Sequence, residues 1–112
     1  MAHVFYDAYD LLELFGEEPV FFVDEEIGIC TYSSPYGNGI RISLYISPHE
    51  EHCAISLYNG DSLFFTTDIE NVEYLRREDN RLRIHQKDSS IDYLIWFSPN
   101  PLIETRKVSS LV

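Results

Sequence analysis

NGIRISLYISPHEEHCAISLYNG, residues 38–60, decides the fold. It holds two strands of nearly identical grammar, RISLYIS and CAISLYN, joined by the polar turn SPHEEH. Ile40, Ile42, Leu44 and Ile46 fall on one face of the first strand, with Arg41, Ser43 and Tyr45 on the other. In the second, Cys53, Ile55 and Leu57 oppose Ala54, Ser56 and Tyr58. Alternation at period 2 marks an antiparallel sheet with one face on a core and the other nearer water.

Outward from this hairpin, the N-terminal side begins with VFYDAYDLLELF, a predicted helix over residues 4–15. Phe5, Tyr9 and Leu12, widened by Ala8, Leu11 and Phe15, form its apolar stripe. Asp7 and Asp10 suit the positive end of the helix dipole, Gly16 a left-handed cap, and Pro19 a stop. PVFFVD (19–24) reads as a buried strand and IGICTY (27–32) as its hairpin partner across the turn Asp24–Glu26. SSPYGNG (33–39) is loop chemistry and carries Tyr36.

On the C-terminal side, Asn59-Gly60 is a type I′ turn pair. Strands follow at SLFFTTD (62–68), ENVEYLRRE (70–78), RLRIHQK (81–87) and IDYLIWF (91–97), with an edge strand over 102–108. IDYLIWF is apolar on both faces and should be a central, doubly covered strand. The fold class is therefore α+β: one N-terminal helix packed on a mainly antiparallel meander of about seven to eight short strands. A sheet of that many twisted strands curls or splits into two. The expected organisation is one domain over 1–112, strand-rich from 19 to 108, with a frayed tail at 109–112. The two ISLY copies are too short for a repeat architecture.

The chain has 112 residues, enough for a core without staples. Its 19 acidic residues against 8 basic ones give a net charge of −11, the wrong sign for nucleic acid or an anionic membrane and the right sign for a basic protein. Cys30 and Cys53 read as small buried hydrophobes in a reducing compartment, with a cross-strand disulfide as the alternative. MAHVFYDAYD lacks the basic and apolar regions of an export signal, and no stretch has the length of a membrane span, so a cytoplasmic location is expected.

No motif specifies catalysis. His49-Glu50-Glu51-His52 has metal-ligand residue types, but at a hairpin tip behind Pro48 it is not HExxH, and a solvated turn is expected. Neither cysteine has the setting that lowers a thiol pKa, and His85, between Arg83 and Lys87, sits where a surface histidine normally does. A non-enzyme without metal or cofactor is expected.

Two features point to binding. Residues 1–40 hold eight acids and no Lys or Arg, whereas all eight basic residues come from Arg41 onward, five of them between Arg76 and Lys87. Such segregation makes a field that steers a basic partner. Tyr32, Tyr45 and Tyr58 are expected to close strands on the face opposite the aliphatics, near Arg41, and Tyr and Arg are enriched at interface hot spots. The candidate partner-binding residues are Glu17, Glu18, Asp24, Glu25, Glu26, Tyr32, Tyr36, Arg41, Tyr45 and Tyr58. In layout, size and charge the whole chain resembles the immunity proteins that neutralise bacterial polymorphic or contact-dependent toxins. The resemblance implies tight, non-catalytic binding of a cognate toxin, often a basic nuclease. The alternatives are a small-ligand-binding module using the sheet interior, with Phe64, Phe65 and residues 91–97 as lining, or a subunit or homodimer built on the edge strand 102–108.

Overall fold

The computed structural model of the protein describes residues 4–24, 26–36, 39–87, 89–97 and 102–107. The hairpin that opened the sequence reading is strands β3 (Ile40–Ser47) and β4 (His52–Asn59), paired antiparallel with Leu44 opposite Ile55. Their link is one 3-10 turn at Pro48–Glu50 followed by Glu51 in the left-handed region. β1 (Val20–Phe21), β2 (Cys30–Tyr36) and β5 (Ser62–Ile69) complete a five-stranded sheet in the order β1-β2-β3-β4-β5. The remaining strands, β6 (Val72–Glu78), β7 (Arg81–Gln86), β8 (Ile91–Trp96) and β9 (Leu102–Lys107), form a second sheet in sequence order. The nine strands among the described residues thus form two antiparallel meanders rather than one curled sheet. The break falls at Glu70–Asn71, where Asn71 takes a positive φ that redirects the chain.

Core composition follows the alternation. Rows Cys30–Ile46–Cys53–Ile69 and Tyr32–Leu44–Ile55 cross the first sheet in register and point inward. Leu75, Ile84, Leu82 and Ile95 answer from the second, all in one buried cluster. Helix α1 (Ala8–Phe15) closes one side of the pair. Its Phe15 ring lies 5.6 Å from Tyr32 and meets Phe97 edge-on at 4.9 Å, so one side chain holds both sheets.

Several expectations need correction. The helix starts at Ala8, not residue 4, because the backbone before it is already spent on β6. Phe5 forms a parallel bridge with Tyr74, donating to the Glu73 carbonyl and accepting from Leu75 N–H, and the Asp7 carboxylate then caps the helix through Tyr9 N–H at 2.8 Å. The buried stripe is Leu11, Leu14 and Phe15, while Phe5 and Tyr9 are exposed.

PVFFVD gives only the two-residue edge strand β1, with Phe22 and Val23 exposed. Conversely, residues 33–36 are strand, not loop. Pro35 stands opposite Arg41, and β1 pairs with β2 only at Cys30 and Thr31, so among the described residues Pro35 lies where β2 has no strand on its other side, an edge position that tolerates proline. The β4–β5 turn is Gly60-Asp61, one residue later than Asn59-Gly60, with a positive φ at Gly60 and not at Asp61, the type II′ pattern.

Cys30 and Cys53 flank Ile46 on opposite sides, two strands apart, and both are free and buried, which excludes the disulfide alternative. Glu25, residues 37–38 of the expected loop and the tail at 109–112 lie outside the described residues.

Candidate functional site

The outer face of the five-stranded sheet is built by the residues that alternate away from the core. Its central row is hydroxyl-bearing: Ser33, Ser43, Ser56 and Thr66 stand side by side on β2 to β5. Ser33 Oγ donates to Ser43 Oγ at 3.3 Å, and the Ser56 and Thr66 hydroxyls are 3.0 Å apart. These short side chains make a low floor between two higher aromatic ridges.

One ridge is Arg41 and Tyr58, cross-strand partners on β3 and β4. The Arg41 guanidinium sits 4.7 Å from the Tyr58 ring centre and donates to the Gly60 carbonyl at 3.5 Å, so the turn holds it in place over the ring. The other ridge is Phe22, Tyr45 and His52, with successive ring centres 5.8 Å apart. His52 Nε2 is 3.2 Å from Asp68 and 3.6 Å from Glu70. The ridges are two row spacings apart, about 13 Å, since same-face residues repeat every ~6.7 Å along a strand.

Acid rims this face. After β1, Asp24 accepts at Oδ1 from Glu26 N–H (3.0 Å) and Ile27 N–H (3.2 Å), an Asx turn that presents Glu26 to solvent. Gly28 follows at φ +83, and a Cβ there would stand 3.3 Å from Pro48 Cγ. That close approach seats the acidic turn against the tip of the β3–β4 hairpin. Glu17 and Glu18 are exposed between the helix and β1.

Of the sequence-predicted residues, the structure gathers Arg41, Tyr45 and Tyr58 on one face and sets Asp24 and Glu26 near its rim. Tyr32 is a correction. It is buried on the core side, because the phase set by Cys30 opposite Ile46 turns every second residue of β2 inward. Burial, followed by the nearby Cys30 and Glu18, pushes its phenol up to about 12. Tyr36 pairs through its backbone with Ile40, and its side chain, like Glu25, lies outside the described residues.

Sequence reasoning missed the organisation of the other outer face. Asp92, whose side chain is 3% exposed, accepts from Arg83 Nη1 and lies against His85 Nδ1, each at 2.7 Å. Glu78 accepts from Arg83 Nε (2.7 Å), Arg81 Nε (3.0 Å) and Arg76 Nη2 (3.1 Å). These guanidinium groups, Arg83 first, hold the Glu78 carboxyl down at about 2 against the opposing effect of burial. His85 stacks on Tyr74, Arg76 covers the Tyr74 ring, Arg81 covers Trp96, and Trp96 N–H donates to Glu104 at 2.6 Å.

Beneath this layer Leu94, on the face away from the core, is fully buried. β8 is therefore doubly covered, as its sequence predicts, but the second cover is side chains rather than another layer of backbone. The signal was present: His85 and Asp92 are the pair that a two-hairpin register sets opposite one another. His85 is then not an ordinary surface histidine. With carboxylates at both ring nitrogens (Glu73 at 3.6 Å on the other side), this network is a clamp across β6, β7 and β8.

Among the described residues, no group of three His, Cys, Asp or Glu is arranged to hold a metal, and no helix is long and apolar enough to cross a membrane. Burial pushes the Cys53 thiol up to about 12 and raises that of Cys30, the opposite of thiol activation.

Together these features define a helix-closed pair of antiparallel meanders presenting a flat hydroxyl floor between aromatic ridges. A solved structure shares this fold: a chain of the contact-dependent growth inhibition toxin–immunity protein complex from Klebsiella pneumoniae 342 matches it with a TM-score of 0.76. The match covers 96% of this chain and 97% of that one at 16% sequence identity, a likeness of fold. No protein-family model and no curated protein matches the chain.

Proposed function

We propose that this chain is a non-catalytic, immunity-type protein that binds and neutralises a basic toxin domain in the cytoplasm through the outer face of its five-stranded sheet. The observation that carries the reading is the end-to-end fold likeness to a chain of a toxin–immunity protein complex. The net charge of −11, with acids at the rim and a stacked Arg41–Tyr58 pair on the face, supports a basic partner. A nuclease is the partner class that best fits this charge, because an enzyme acting on a phosphate backbone is itself basic.

The test begins with the tagged chain on an affinity matrix, a lysate of the source organism, and washes at low and high salt. The expected result is one basic protein retained, bound more weakly at high salt, which arrests growth when expressed alone and not when co-expressed with this chain. Arg41→Ala and Tyr58→Ala should each weaken the complex about 30-fold, the effect of removing a hot-spot side chain. Growth arrest by this chain on its own, or a retained partner indifferent to both substitutions, would overturn the reading.

A further inference from the structure

The sheet edges are not equally protected. β1 is two residues long, β6 is covered at Tyr74 by the Phe5 backbone, and β9 carries Arg106 and Lys107. Short length, cover and charge are the standard guards of an edge. β5 is less guarded: its one charge is the acidic Asp68, which would repel an acidic strand and attract a basic one, and its one irregularity is a bulge near the turn. It runs eight residues, contains neither Pro nor Lys, and among the described residues bonds to β4 along one side only. Leu63 and Phe64 are 52% and 53% exposed, with Phe64 pushed out as the extra residue of a bulge opposite Leu57–Tyr58.

Next to this edge, the inward-facing side of β5 opens on an apolar cleft of about 250 Å³ lined by Leu57, Phe65, Leu102 and Ile103. Among the described residues no strand lies on the far side of β5, and a row of outward amides beside an apolar groove is what a strand-adding ligand requires: main-chain bonds for affinity, and a pocket for alternate side chains.

We infer that β5 is the docking edge for an extended, basic segment of the partner protein, which adds as a sixth antiparallel or parallel strand and seats its inward side chains in the Leu57–Phe65–Leu102–Ile103 cleft. Charge selects this occupant over a second copy. Residues 42–75 contain six acids (Glu50, Glu51, Asp61, Asp68, Glu70, Glu73) and no Lys or Arg, and two chains of net charge −11 repel. An added strand would place its outward side chains beside Thr66 and Asp68, continuing the hydroxyl floor and the acidic rim. The inference rests on the reading of this chain as a partner-binding protein and names the backbone that the partner engages.

The probe is a synthetic octapeptide alternating Val with Lys, so that one face is apolar and the other basic, added to the ¹⁵N-labelled chain. Amide exchange and chemical shifts are read residue by residue. The expected result at saturating peptide is that every second amide of 62–69, those pointing away from β4, slows about tenfold or more, with shift changes at Leu102 and Ile103. A matched Val/Glu peptide should do neither, and Thr66→Lys, at an exposed position, should weaken the Val/Lys peptide by about tenfold.

Equal binding of the Val/Glu peptide, protection at β9 or β1 instead, or no change at β5 would each overturn the assignment. So would a concentration-dependent dimer in light scattering that protects the same amides without peptide, which would make the occupant a second copy. Because the chain and peptide are tested without any toxin, a negative result here leaves the immunity reading standing, and a failed toxin assay leaves this result intact.

Discussion

Asp92→Ala should be the most damaging single truncation on the outer face of the four-stranded sheet. The carboxylate is almost fully buried and accepts from Arg83 at 2.7 Å while facing His85 at 2.7 Å, so its removal leaves two half-buried nitrogens without that partner. A donor stranded in this way costs about 1–3 kcal/mol, more when charged. Breaking a buried ion pair costs about 3–5 kcal/mol. Arg83 keeps its bonds to Glu78, which places the expected loss near the lower end, about 3 kcal/mol. With a urea m-value of about 1.5 kcal/mol/M for a chain of this size, the midpoint should fall by about 2 M. Trp96, the single tryptophan, lies on the same face and reports the transition by fluorescence. Asp92→Asn, which keeps one acceptor oxygen, should lose roughly half as much. A midpoint for Asp92→Ala within about 0.5 M of the parent would refute the view that this network clamps three strands.

Acid titration should find the same network from another direction. The Glu78 carboxyl is held at about 2 in the folded chain against 4.5 ordinarily, so its contribution is present above pH 4.5 and is lost as pH falls toward 2. After allowance for solvent screening this amounts to about 1–2 kcal/mol, measurable as the difference in urea midpoint between parent and Glu78→Gln across that window. At the alkaline end the sign reverses. Cys53 is raised from 9 to about 12, so stability conferred by the neutral thiol holds below pH 9 and falls as pH rises toward 12. Neither cysteine should react with a thiol-specific reagent before urea unfolds the chain, and rapid labelling of the native protein would contradict the burial described. Gly28→Ala should cost about 1–2 kcal/mol in thermal unfolding, because a positive φ and the 3.3 Å approach to Pro48 both resist a side chain. Gly16→Ala, with nothing within 4 Å, should cost less.

What the sequence made legible was whatever local alternation controls. Ile42, Leu44, Ile46, Ile55 and Leu82 go inward as their period demands, and strands from β3 onward fall close to where turn residues place them. The failures have one cause, tertiary pairing that no local pattern announces. Phe5 is drawn out of the helix by the edge of β6, 69 residues away, and Pro35 is admitted to a strand because β1 stops short. Tyr32 looked like Tyr45 and Tyr58 in composition, yet the phase of β2 is fixed by its register with β3, and that phase puts it in the core. Of the candidate site, the shared outer face of Arg41, Tyr45 and Tyr58 was legible from alternation within β3 and β4. The hydroxyl floor between them emerges only when four strands align in register. That β5 is an edge was invisible until strand order showed which strands lie outermost.

The bridge from Phe5 to Tyr74 also bears on how the chain comes together in time. Each meander is assembled from consecutive hairpins, so most pairings span short loops and carry little closure entropy. The segment before the helix is different: it precedes its partner strand, which begins at Val72, and the ring partner of Phe15, Phe97, is later still. During synthesis the first sheet can form and offer Tyr32 to the helix, while the contacts of Phe5 and Phe15 with the second sheet are still missing. This segment therefore serves as the final fastener, and loosening Phe5 or Phe15 should speed unfolding far more than it slows folding.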